Sequence, residues 1–326
     1  MKPKVFVTRI IPDEGLKLVK EACDARIWEG ELPPPREVIL EEVQEVEGIL
    51  SLLTARMDAE VMDAAPKLKV ISNYAVGYDN IDIPAATERG IIVGNTPGVL
   101  TDTTADLAWA LLMATARRIT EGDRYVREGR WQTWGPTILL GQDVHHATLG
   151  IIGMGRIGAT IAKRASGFEM KVLYYDVNRR EDLEKELGVE YRPLDDLLRE
   201  SDFVTVHTWL SEETYHLIGK RELKLMRETA ILINDARGPI VDNMALYEAL
   251  RDGDILAAGL DVTEPEPLPV DHPLLTLDNV IVVPHIGSGS VYTRGLMARM
   301  AAENLLAGLK GEMPPNPVNP EALQKS

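Results

Sequence analysis

The feature that most constrains the fold is the decapeptide LGIIGMGRIG at residues 149–158. A short apolar run, which predicts a buried strand, leads directly into Gly153, Gly155 and Gly158. In this G-x-G-x-x-G spacing the first glycine permits a tight turn, the second lets a pyrophosphate approach the backbone, and the third lets a helix pack closely on the strand. The N–H groups at the start of that helix would face the phosphates. The pattern therefore predicts a dinucleotide-binding unit in the middle of the chain.

Apolar runs of strand length alternate with helical stretches on both sides of this motif, which predicts parallel sheets covered by helices. The runs are KVFVT, GILSLL, KVISNYA and GIIVGNT before it, and KVLYYD, DFVTVHT, AILIND, ILAAGLDV and NVIVVPH after it. A length of 326 residues favours two domains. We predict an α/β fold of two Rossmann-like, doubly wound parallel-sheet domains. The dinucleotide domain, residues 100–288, is inserted into an outer domain made of residues 1–99 and 289–326, so that two chain crossings form a hinge beside a cleft.

Three segments carry helix signals. The stretch from TDTTADLAWALL to DRYVREGR favours helix, with Thr101 or Asp102 as the N-cap. VDNMALYEALRDGD predicts a helix that starts at Asp242 and stops at Gly253. A last helix, through SVYTRGLMARMAAENLLAGLKGE, is expected to end near Gly311.

Composition excludes several classes of protein. The net charge is −16, from 51 acidic and 35 basic residues, and no Lys/Arg run is long enough to form a nucleic-acid groove. The longest apolar stretch, near LAWALLMATA, is shorter than a bilayer span, and the apolar part of MKPKVFVTRI is too brief for a signal peptide. A lone Cys23 fits a reducing compartment. We expect a cytoplasmic protein with no nucleic-acid or membrane partner, in which any anionic ligand is captured by local positive groups.

The choice of cofactor depends on Asp176, which ends the run KVLYYD. A carboxylate at the end of the second strand accepts hydrogen bonds from ribose hydroxyls and repels a 2′-phosphate. NAD(H) is therefore favoured. Arg179 and Arg180 follow closely and could bind a phosphate, so NADP(H) stays an alternative, as does a purely structural role for Asp176 in a solvated turn.

Three charged residues each follow an apolar run: Arg237 in INDARGPIVD, Glu266 in GLDVTEPEP and His285 in VVPHIGS. Because the carboxyl ends of parallel strands share one edge of a sheet, we expect these side chains at that edge. Taken singly, each could be an ordinary surface or turn residue.

His285 is the preferred histidine because it follows NVIVVP and precedes a glycine-rich turn. His145 and His146 lie in a polar loop without a third ligand at metal spacing, so no metal site is predicted. His207, after DFVTV, is predicted to be a packing or cofactor-rim residue.

Six stretches occur in an order typical of one family: YAVGYDNIDI, NTPGVLTDTTADLA, LGIIGMGRIG, NDARGPIVD, GLDVTEPEP and PHIGS. Over essentially its whole length the sequence resembles the D-isomer-specific 2-hydroxyacid dehydrogenases, and it is most similar to the glyoxylate/hydroxypyruvate reductase branch. The resemblance implies an NAD-dependent oxidoreductase that transfers hydride from NADH to glyoxylate- or hydroxypyruvate-type 2-oxo acids, giving D-2-hydroxy acids.

The resemblance also implies roles for the site residues. Arg237 would bind the substrate carboxylate and the adjacent carbonyl oxygen through its planar fork. His285 would protonate that oxygen, and Glu266 would orient the imidazole and favour its protonated form. Backbone amides of Val76 and Gly77 would hold the carboxylate from the outer domain.

For the cofactor, the family pattern carries over to a larger set of positions. These are Val76, Thr104, Gly153, Gly155, Arg156, Ile157, Gly158, Asp176, Thr208, Ala236, Asp261 and Gly287. Asp261 would accept a hydrogen bond from the nicotinamide amide, with a helix cap or turn residue as the alternative.

The chain departs from the family at Trp209, where many relatives have proline, and at Asp235, where a small or apolar residue is usual. An extra carboxylate beside Arg237 could weaken the arginine or adjust the fit of the cofactor. Trp131 and Trp134 precede the glycine motif, and packing against the dinucleotide domain is the simpler interpretation of them. The resemblance places a dimer interface in this region, so a homodimer is expected.

Two alternatives stay open. One is a different reaction on the same scaffold, with another small 2-oxo acid or phosphite as substrate; the polar pocket insertions of the formate dehydrogenase branch are absent. The other is an NAD-sensing interaction protein, similar to the transcriptional corepressors that share this fold, although the long disordered extensions of such a scaffold are not seen.

Overall fold

The structure, a computed structural model, describes residues 1–324. The chain divides into two compact units, one formed by Met1–Leu100 together with the segment from Gly289 onward, the other by Thr101–Ser288. Each unit is built on one parallel sheet, and alternate residues of the strands enter two separate hydrophobic cores, one on each face of the sheet. The predicted fold class, two doubly wound parallel α/β domains, is confirmed.

The first unit contains a five-stranded sheet of order β2-β1-β3-β4-β5. Its strands are β1 (Lys4–Val7), β2 (Asp24–Ile27), β3 (Gly48–Ser51), β4 (Val70–Asn73) and β5 (Ile92–Gly94). Its helices are α1 (Asp13–Ala22), α2 (Arg36–Glu42), α3 (Ala59–Asp63), α4 (Ile83–Glu88) and, from the far end of the chain, α12 (Val291–Leu309).

The C-terminal helix α12 completes the core of this first unit. Ser290 caps it by accepting a hydrogen bond from the Thr293 amide at 3.1 Å. Its small residues allow close packing, and a β-carbon at Gly15 of α1 would lie only 2.1 Å from the Ala298 carbonyl oxygen. The Ser72 hydroxyl of β4 donates to the Ala301 carbonyl at 2.7 Å. The first unit therefore depends on both ends of the chain.

The second unit contains a seven-stranded sheet of order β12-β11-β10-β9-β6-β7-β8. Its strands are β6 (Thr148–Ile152), β7 (Lys171–Tyr175), β8 (Glu190–Tyr191), β9 (Phe203–Val206), β10 (Ile231–Asn234), β11 (Ala257–Leu260) and β12 (Val280–Val282). Its helices are α5 (Thr101–Ala116), α6 (Ile119–Arg127), α7 (Arg156–Ala165), α8 (Glu181–Leu187), α9 (Leu194–Glu200), α10 (Lys220–Leu223) and α11 (Asn243–Asp252). Because β7 lies on one side of β6 and β9 on the other, strand order reverses at β6, and a ligand crevice is expected at the carboxyl ends there.

Most helix signals are confirmed. The Asp242 carboxylate accepts from the amides of Met244 and Ala245 at the start of α11, and Gly253 ends it with a φ of 78°. The last helix stops at Leu309, and Gly311 has a φ of 74°.

The segment after residue 100 forms two helices rather than one continuous helix. Arg118, with a φ of 51°, separates α5 from α6, and the Ala116 carbonyl bonds the Gln142 amide at 2.8 Å instead of continuing the helix. The prediction of an N-cap at Thr101 or Asp102 was wrong, because α5 begins at Thr101 and both residues lie in its first turn. Two short strands, β2 and β8, were not anticipated.

The packing interpretation of the two tryptophans before the glycine motif was also wrong. Trp131 is 61% exposed and Trp134 is 79% exposed, because residues 131–141 cross the surface of the second unit without being covered by it. Cys23 is a buried free thiol, and burial raises its pKa to about 11. None of the helices within residues 1–324 has the length and apolar character that crossing a membrane requires.

Candidate active site

The glycine turn after β6 has the shape of a phosphate-binding loop. Gly153 has a φ of +96°, and a β-carbon there would lie 2.6 Å from the His207 carbonyl carbon. A β-carbon at Gly158 would lie 2.2 Å from the Gly153 carbonyl oxygen. At Gly155, by contrast, a β-carbon would meet no atom within 4 Å. Packing explains the first and third glycines, whereas the second leaves open space above the backbone, which fits a pyrophosphate.

The first helical residues of α7 lie beside this opening. Arg156 is exposed and Ile157 is half-buried. On the other side of the turn, a β-carbon at Gly153 would lie 2.6 Å from the Thr208 amide nitrogen, which places the loop after β9 directly against the glycines. Trp209, one residue further, is 77% exposed.

Asp176 stabilises the glycine turn through hydrogen bonds to two backbone amides. Its Oδ2 accepts from the Met154 amide at 2.8 Å, and its Oδ1 accepts from the Asn178 amide at 2.9 Å. Arg180 donates from Nη1 to the Met154 carbonyl at 2.9 Å. The peptide of Met154 is therefore held from both sides, and the carboxylate charge stands at the end of β7.

Both nearby arginines form two-point ion pairs with carboxylates of the helix that follows them, α8. Arg179 donates to Glu184 at 2.8 and 2.9 Å, and Arg180 donates to Asp182 at 2.9 and 2.7 Å. The arginine hydrogen bonds hold the pKa of Glu184 and that of Asp182 at about 2. Each guanidinium thus forms an ion pair with a carboxylate, and a phosphate would have to compete with that carboxylate.

Arg237 lies in a loop fixed by Asn234, the last residue of β10. The Asn234 side chain accepts from the Ala236 amide at 3.1 Å and donates to the Arg237 carbonyl at 3.0 Å. Arg237 itself donates from Nη1 to the Ala236 carbonyl at 2.8 Å. A β-carbon at Gly238 would lie 1.9 Å from the Thr263 carbonyl oxygen, so this loop touches the loop after β11 backbone to backbone.

Glu266 and His285 come together at this edge of the sheet. Glu266 Oε1 lies 2.5 Å from His285 Nδ1, and the two side chains are 43% and 30% exposed. His285 has a left-handed backbone, with a φ of 52°, and its amide donates to the Asp261 carbonyl at 2.9 Å. Nε2 of the imidazole has no hydrogen-bond partner within residues 1–324, so it can face a ligand.

Asp261 holds the turn that presents His285, in agreement with the turn role given above as its alternative. Its Oδ1 accepts from the Ile286 amide at 2.6 Å and its Oδ2 from the Gly287 amide at 2.7 Å. Burial raises the pKa of Asp261, these two bonds oppose the rise, and the negative charge of Asp235 adds to it. A β-carbon at Gly287 would lie 3.5 Å from the Thr104 methyl group, which brings three predicted cofactor residues, Thr104, Asp261 and Gly287, into one cluster.

The loop carrying Glu266 has its own anchor, which was not foreseen. His216 Nε2 lies 2.7 Å from Glu264 Oε2, and Asn243 donates to the Glu264 carbonyl at 2.9 Å. Glu264 could have been noticed, since it belongs to the same TEPEP stretch as Glu266. Its partner His216 lies far away along the chain, so the sequence does not show that the two side chains meet. Within the described part of the chain, residues 1–324, no cluster of three or more His, Cys, Asp or Glu could hold a metal ion.

Val76 and Gly77 follow β4 in the first unit. Asn95 donates to the Val76 carbonyl at 2.8 Å, and Asn73 donates to the Gly77 carbonyl at 2.9 Å. Neither amide of Val76 or Gly77 donates a hydrogen bond to any of residues 1–324. The backbone is thus fixed by its carbonyls, while neither N–H group has a hydrogen-bond partner within residues 1–324.

A parallel sheet with a glycine turn at its reversal point, and Arg, Glu and His after successive strands, defines a nucleotide-dependent oxidoreductase fold. Residues 109–287 match the model of the D-isomer specific 2-hydroxyacid dehydrogenase NAD binding domain. The chain belongs to this family of dehydrogenases.

Relatives match over nearly the full chain. A glyoxylate reductase of Korarchaeum cryptofilum is 59% identical over 99% of this chain and 98% of its own length. A crystal structure of a protein from Thermus thermophilus has a TM-score of 0.92 at 48% identity, covering 97% of this chain and 99% of that one. An NADPH-dependent glyoxylate/hydroxypyruvate reductase of Sinorhizobium meliloti, solved with NADP and malonate, has a TM-score of 0.88 at 33% identity, covering 99% and 98%.

Proposed function

We propose that this protein is an NADH-dependent reductase of glyoxylate- and hydroxypyruvate-type 2-oxo acids, yielding D-2-hydroxy acids where the product is chiral. The observation that carries the proposal is the Glu266–His285 contact of 2.5 Å, next to the loop of Arg237 and on the same sheet edge as the glycine turn. The names of the similar glyoxylate reductases support the substrate class.

Arg237 is assigned to the substrate anion. Its planar fork can donate to a carboxylate and to the adjacent carbonyl oxygen together, and Asn234 fixes the backbone from which it projects. The amides of Val76 and Gly77, whose carbonyls accept hydrogen bonds from asparagines, are assigned to substrate binding by the first unit. We assign substrate recognition to residues 1–99 and 289–326, and dinucleotide binding to residues 100–288.

His285 is assigned as the general acid. With Nδ1 facing Glu266, a proton on Nε2 can pass to the carbonyl oxygen of the substrate as that carbon is reduced. The Glu266 carboxylate orients the ring and stabilises the imidazolium. When bound, the nicotinamide supplies the hydride that the carbonyl carbon receives.

The cofactor is held by residues of the second unit. Gly153, Gly155 and Gly158, with Arg156 and Ile157, would surround the pyrophosphate, and Thr104, Thr208, Ala236, Asp261 and Gly287 would surround the rest. We favour NAD(H) because the Asp176 carboxylate stands at the end of β7, where it repels a 2′-phosphate. The pairing of Arg179 and Arg180 with Glu184 and Asp182 supports this choice, since a 2′-phosphate would have to compete with both carboxylates.

Side-by-side assays test the function. Oxidation of NADH should be fast with glyoxylate and hydroxypyruvate and slower with pyruvate. With any of these acids, oxidation of NADPH should be slower than oxidation of NADH. Turnover of none of these acids, with NADH binding retained, would contradict the proposal and favour a cofactor-sensing protein. Turnover only of a different 2-oxo acid would keep the chemistry and change the substrate.

We also propose a homodimer, on the basis of the uncovered apolar segment in the second unit. Trp131 and Trp134 are largely exposed, and Ile138 and Leu140 beside them are 39% and 64% exposed, which is costly for a surface facing water. Sedimentation should give twice the chain mass, and Trp134→Ser should shift it toward the monomer. A wild-type monomer at micromolar concentration would contradict this. The buried thiol of Cys23 supports a cytoplasmic location.

A further inference from the structure

Two buried ionisable side chains of the second unit, Asp235 and His207, have no part in the proposed chemistry. They are 0% and 1% exposed, and His207 Nδ1 lies 3.1 Å from Asp235 Oδ1. The other ring nitrogen, Nε2, is 2.7 Å from the Thr205 hydroxyl. The histidine thus lies between a hydroxyl and a carboxylate, closed off from water.

The carboxylate of Asp235 is poorly satisfied. Within residues 1–324 neither of its oxygens accepts a hydrogen bond. The His207 ring lies within ion-pair distance, but its orientation does not give a hydrogen bond to Asp235. A buried carboxylate in this condition costs stability. An apolar residue would fill the same volume without that cost, so packing does not explain an aspartate here.

The position of Asp235 is informative. It directly follows β10, between the ends of β9 and β11, and precedes Arg237 by two residues. Asp261 follows β11; burial is the main cause that raises its pKa, and the charge of Asp235 adds a smaller contribution in the same direction. The charged or titratable groups around Asp235 are therefore His207 after β9, Arg237 on its own loop, Asp261 after β11 and, through Asp261, His285 after β12.

We propose that Asp235 determines which redox state of the cofactor this protein binds more tightly, its carboxylate stabilising the positively charged, oxidised nicotinamide relative to the neutral, reduced one. This inference rests on the proposed function, which places the nicotinamide beside Arg237, Asp261 and His285. In a site that excludes water, a fixed charge acts over a distance of many ångströms and needs no direct contact.

The direction of the effect suits a reductase. Hydride transfer to the 2-oxo acid leaves one positive charge on the ring, while the proton from His285 neutralises the alkoxide formed from the carbonyl oxygen. The negative charge of Asp235 would stabilise the first of these changes. Asp235 therefore favours reduction of the acid by the bound cofactor.

Binding measurements without substrate test the inference. The dissociation constants of NAD⁺ and of NADH are measured separately by calorimetry for the wild type and for Asp235→Asn, which keeps the shape and removes the charge. The ratio of the NAD⁺ constant to the NADH constant should rise about tenfold in the variant, which corresponds to a loss of about 1.4 kcal/mol of electrostatic stabilisation of NAD⁺. Most of the change should be weaker NAD⁺ binding.

Three further variants separate charge from packing. Asp235→Leu removes the unsatisfied oxygens, so it should fold with a higher Tm and show the same change of ratio. Thr205→Val and His207→Gln disturb the neighbours of Asp235 but keep its carboxylate, so in neither should the ratio rise.

Results that would contradict the role of Asp235 differ from results that would contradict the proposed function. If both Asp235 variants weaken NAD⁺ and NADH by the same factor, or change neither, Asp235 has no redox-state preference and the inference is overturned. A rise of the ratio in His207→Gln equal to that in Asp235→Asn would also overturn it. A wild-type protein that binds neither dinucleotide would instead reject the proposed function.

Discussion

Glu266 Oε1 lies 2.5 Å from His285 Nδ1, a contact made between the loops that follow two neighbouring strands, β11 and β12. Replacing His285 with Gln should lower kcat for glyoxylate reduction about 10³-fold, and Glu266→Gln about 10²-fold, because a positioned general acid contributes roughly 10²–10⁴. Reduction consumes a proton, so kcat should fall as pH rises. NADH affinity, measured by fluorescence, serves as the control and should not change.

Arg237→Lys should lower kcat/KM about 10²-fold, mainly through a higher KM for the 2-oxo acid. Lysine keeps the charge but loses the planar fork that would bind two oxygens at once. A matched control is Arg251→Lys on the surface of α11, where the guanidinium pairs with Asp252. If Arg237→Lys left the KM unchanged, the assignment of Arg237 to the substrate would be wrong.

Asp176→Asn should reduce the preference for NADH over NADPH by about tenfold or more, chiefly by tightening NADPH. The amide oxygen can still accept from the Met154 amide, so the glycine turn is kept, while the charge and the hydrogen bond from the Asn178 amide are lost. Adding Asp182→Asn releases Arg180 and should tighten NADPH further. Dissociation constants for both cofactors check this, and a wild type that already prefers NADPH would refute it.

Alanine at Gly155 and at Gly158 should behave in opposite ways. The Gly155→Ala methyl enters open space, so Tm should be unchanged while the Kd for NADH rises at least about tenfold. The Gly158→Ala methyl would lie 2.2 Å from a backbone oxygen, so it should destabilise the second unit by about 1–3 kcal/mol. Thermal unfolding and titration with NADH distinguish the two. If Gly155→Ala bound NADH with wild-type affinity, the assignment of the pyrophosphate to this loop would be wrong.

Glu184→Gln should lower the Tm of the protein at neutral pH, and should lower it much less in acid. Arg179, followed by the Tyr174 hydroxyl at 2.7 Å, holds the pKa of Glu184 at about 2, below its ordinary value of 4.5. The carboxylate therefore stabilises the folded state above about pH 5, and this contribution is lost as pH falls toward 2. The difference in Tm between wild type and variant should shrink over that range. Glu181→Gln, in the first turn of the same helix, is the control.

Much of the fold was predictable because buried parallel strands are continuous apolar runs and the glycine spacing is specific. The two strands that escaped notice, β2 and β8, are half-exposed edge strands with the sequences DARI and EY, which carry no apolar run. The break at Arg118 was equally hidden, since it arises where the Ala116 carbonyl bonds Gln142 rather than from a proline or glycine at the break.

At the site, the strand-end rule was enough to predict that Glu266 and His285 lie at one edge of the sheet, while their contact was implied by the family resemblance. That rule could not predict the bonds of Asp261 to the amides of residues 286 and 287, because they exist only once His285 adopts a left-handed backbone. The pairing of His207 with Asp235 joins the ends of two strands, so no local pattern shows it. Asp235 was visible in the sequence only as a departure, whose meaning depends on its being buried without a hydrogen bond.

Helix α12 has a consequence for biosynthesis. Its residues fill the core of the first unit, and Asn319 beyond it bonds the Val93 amide at 2.7 Å and the Ile91 carbonyl at 3.0 Å. During translation, one face of the sheet in residues 1–100 therefore stays uncovered until α12 has been synthesised, whereas Thr101–Ser288 is a continuous stretch whose two cores contain only its own residues. We therefore expect residues 1–100 to complete their packing after residues 101–288, although they are synthesised earlier.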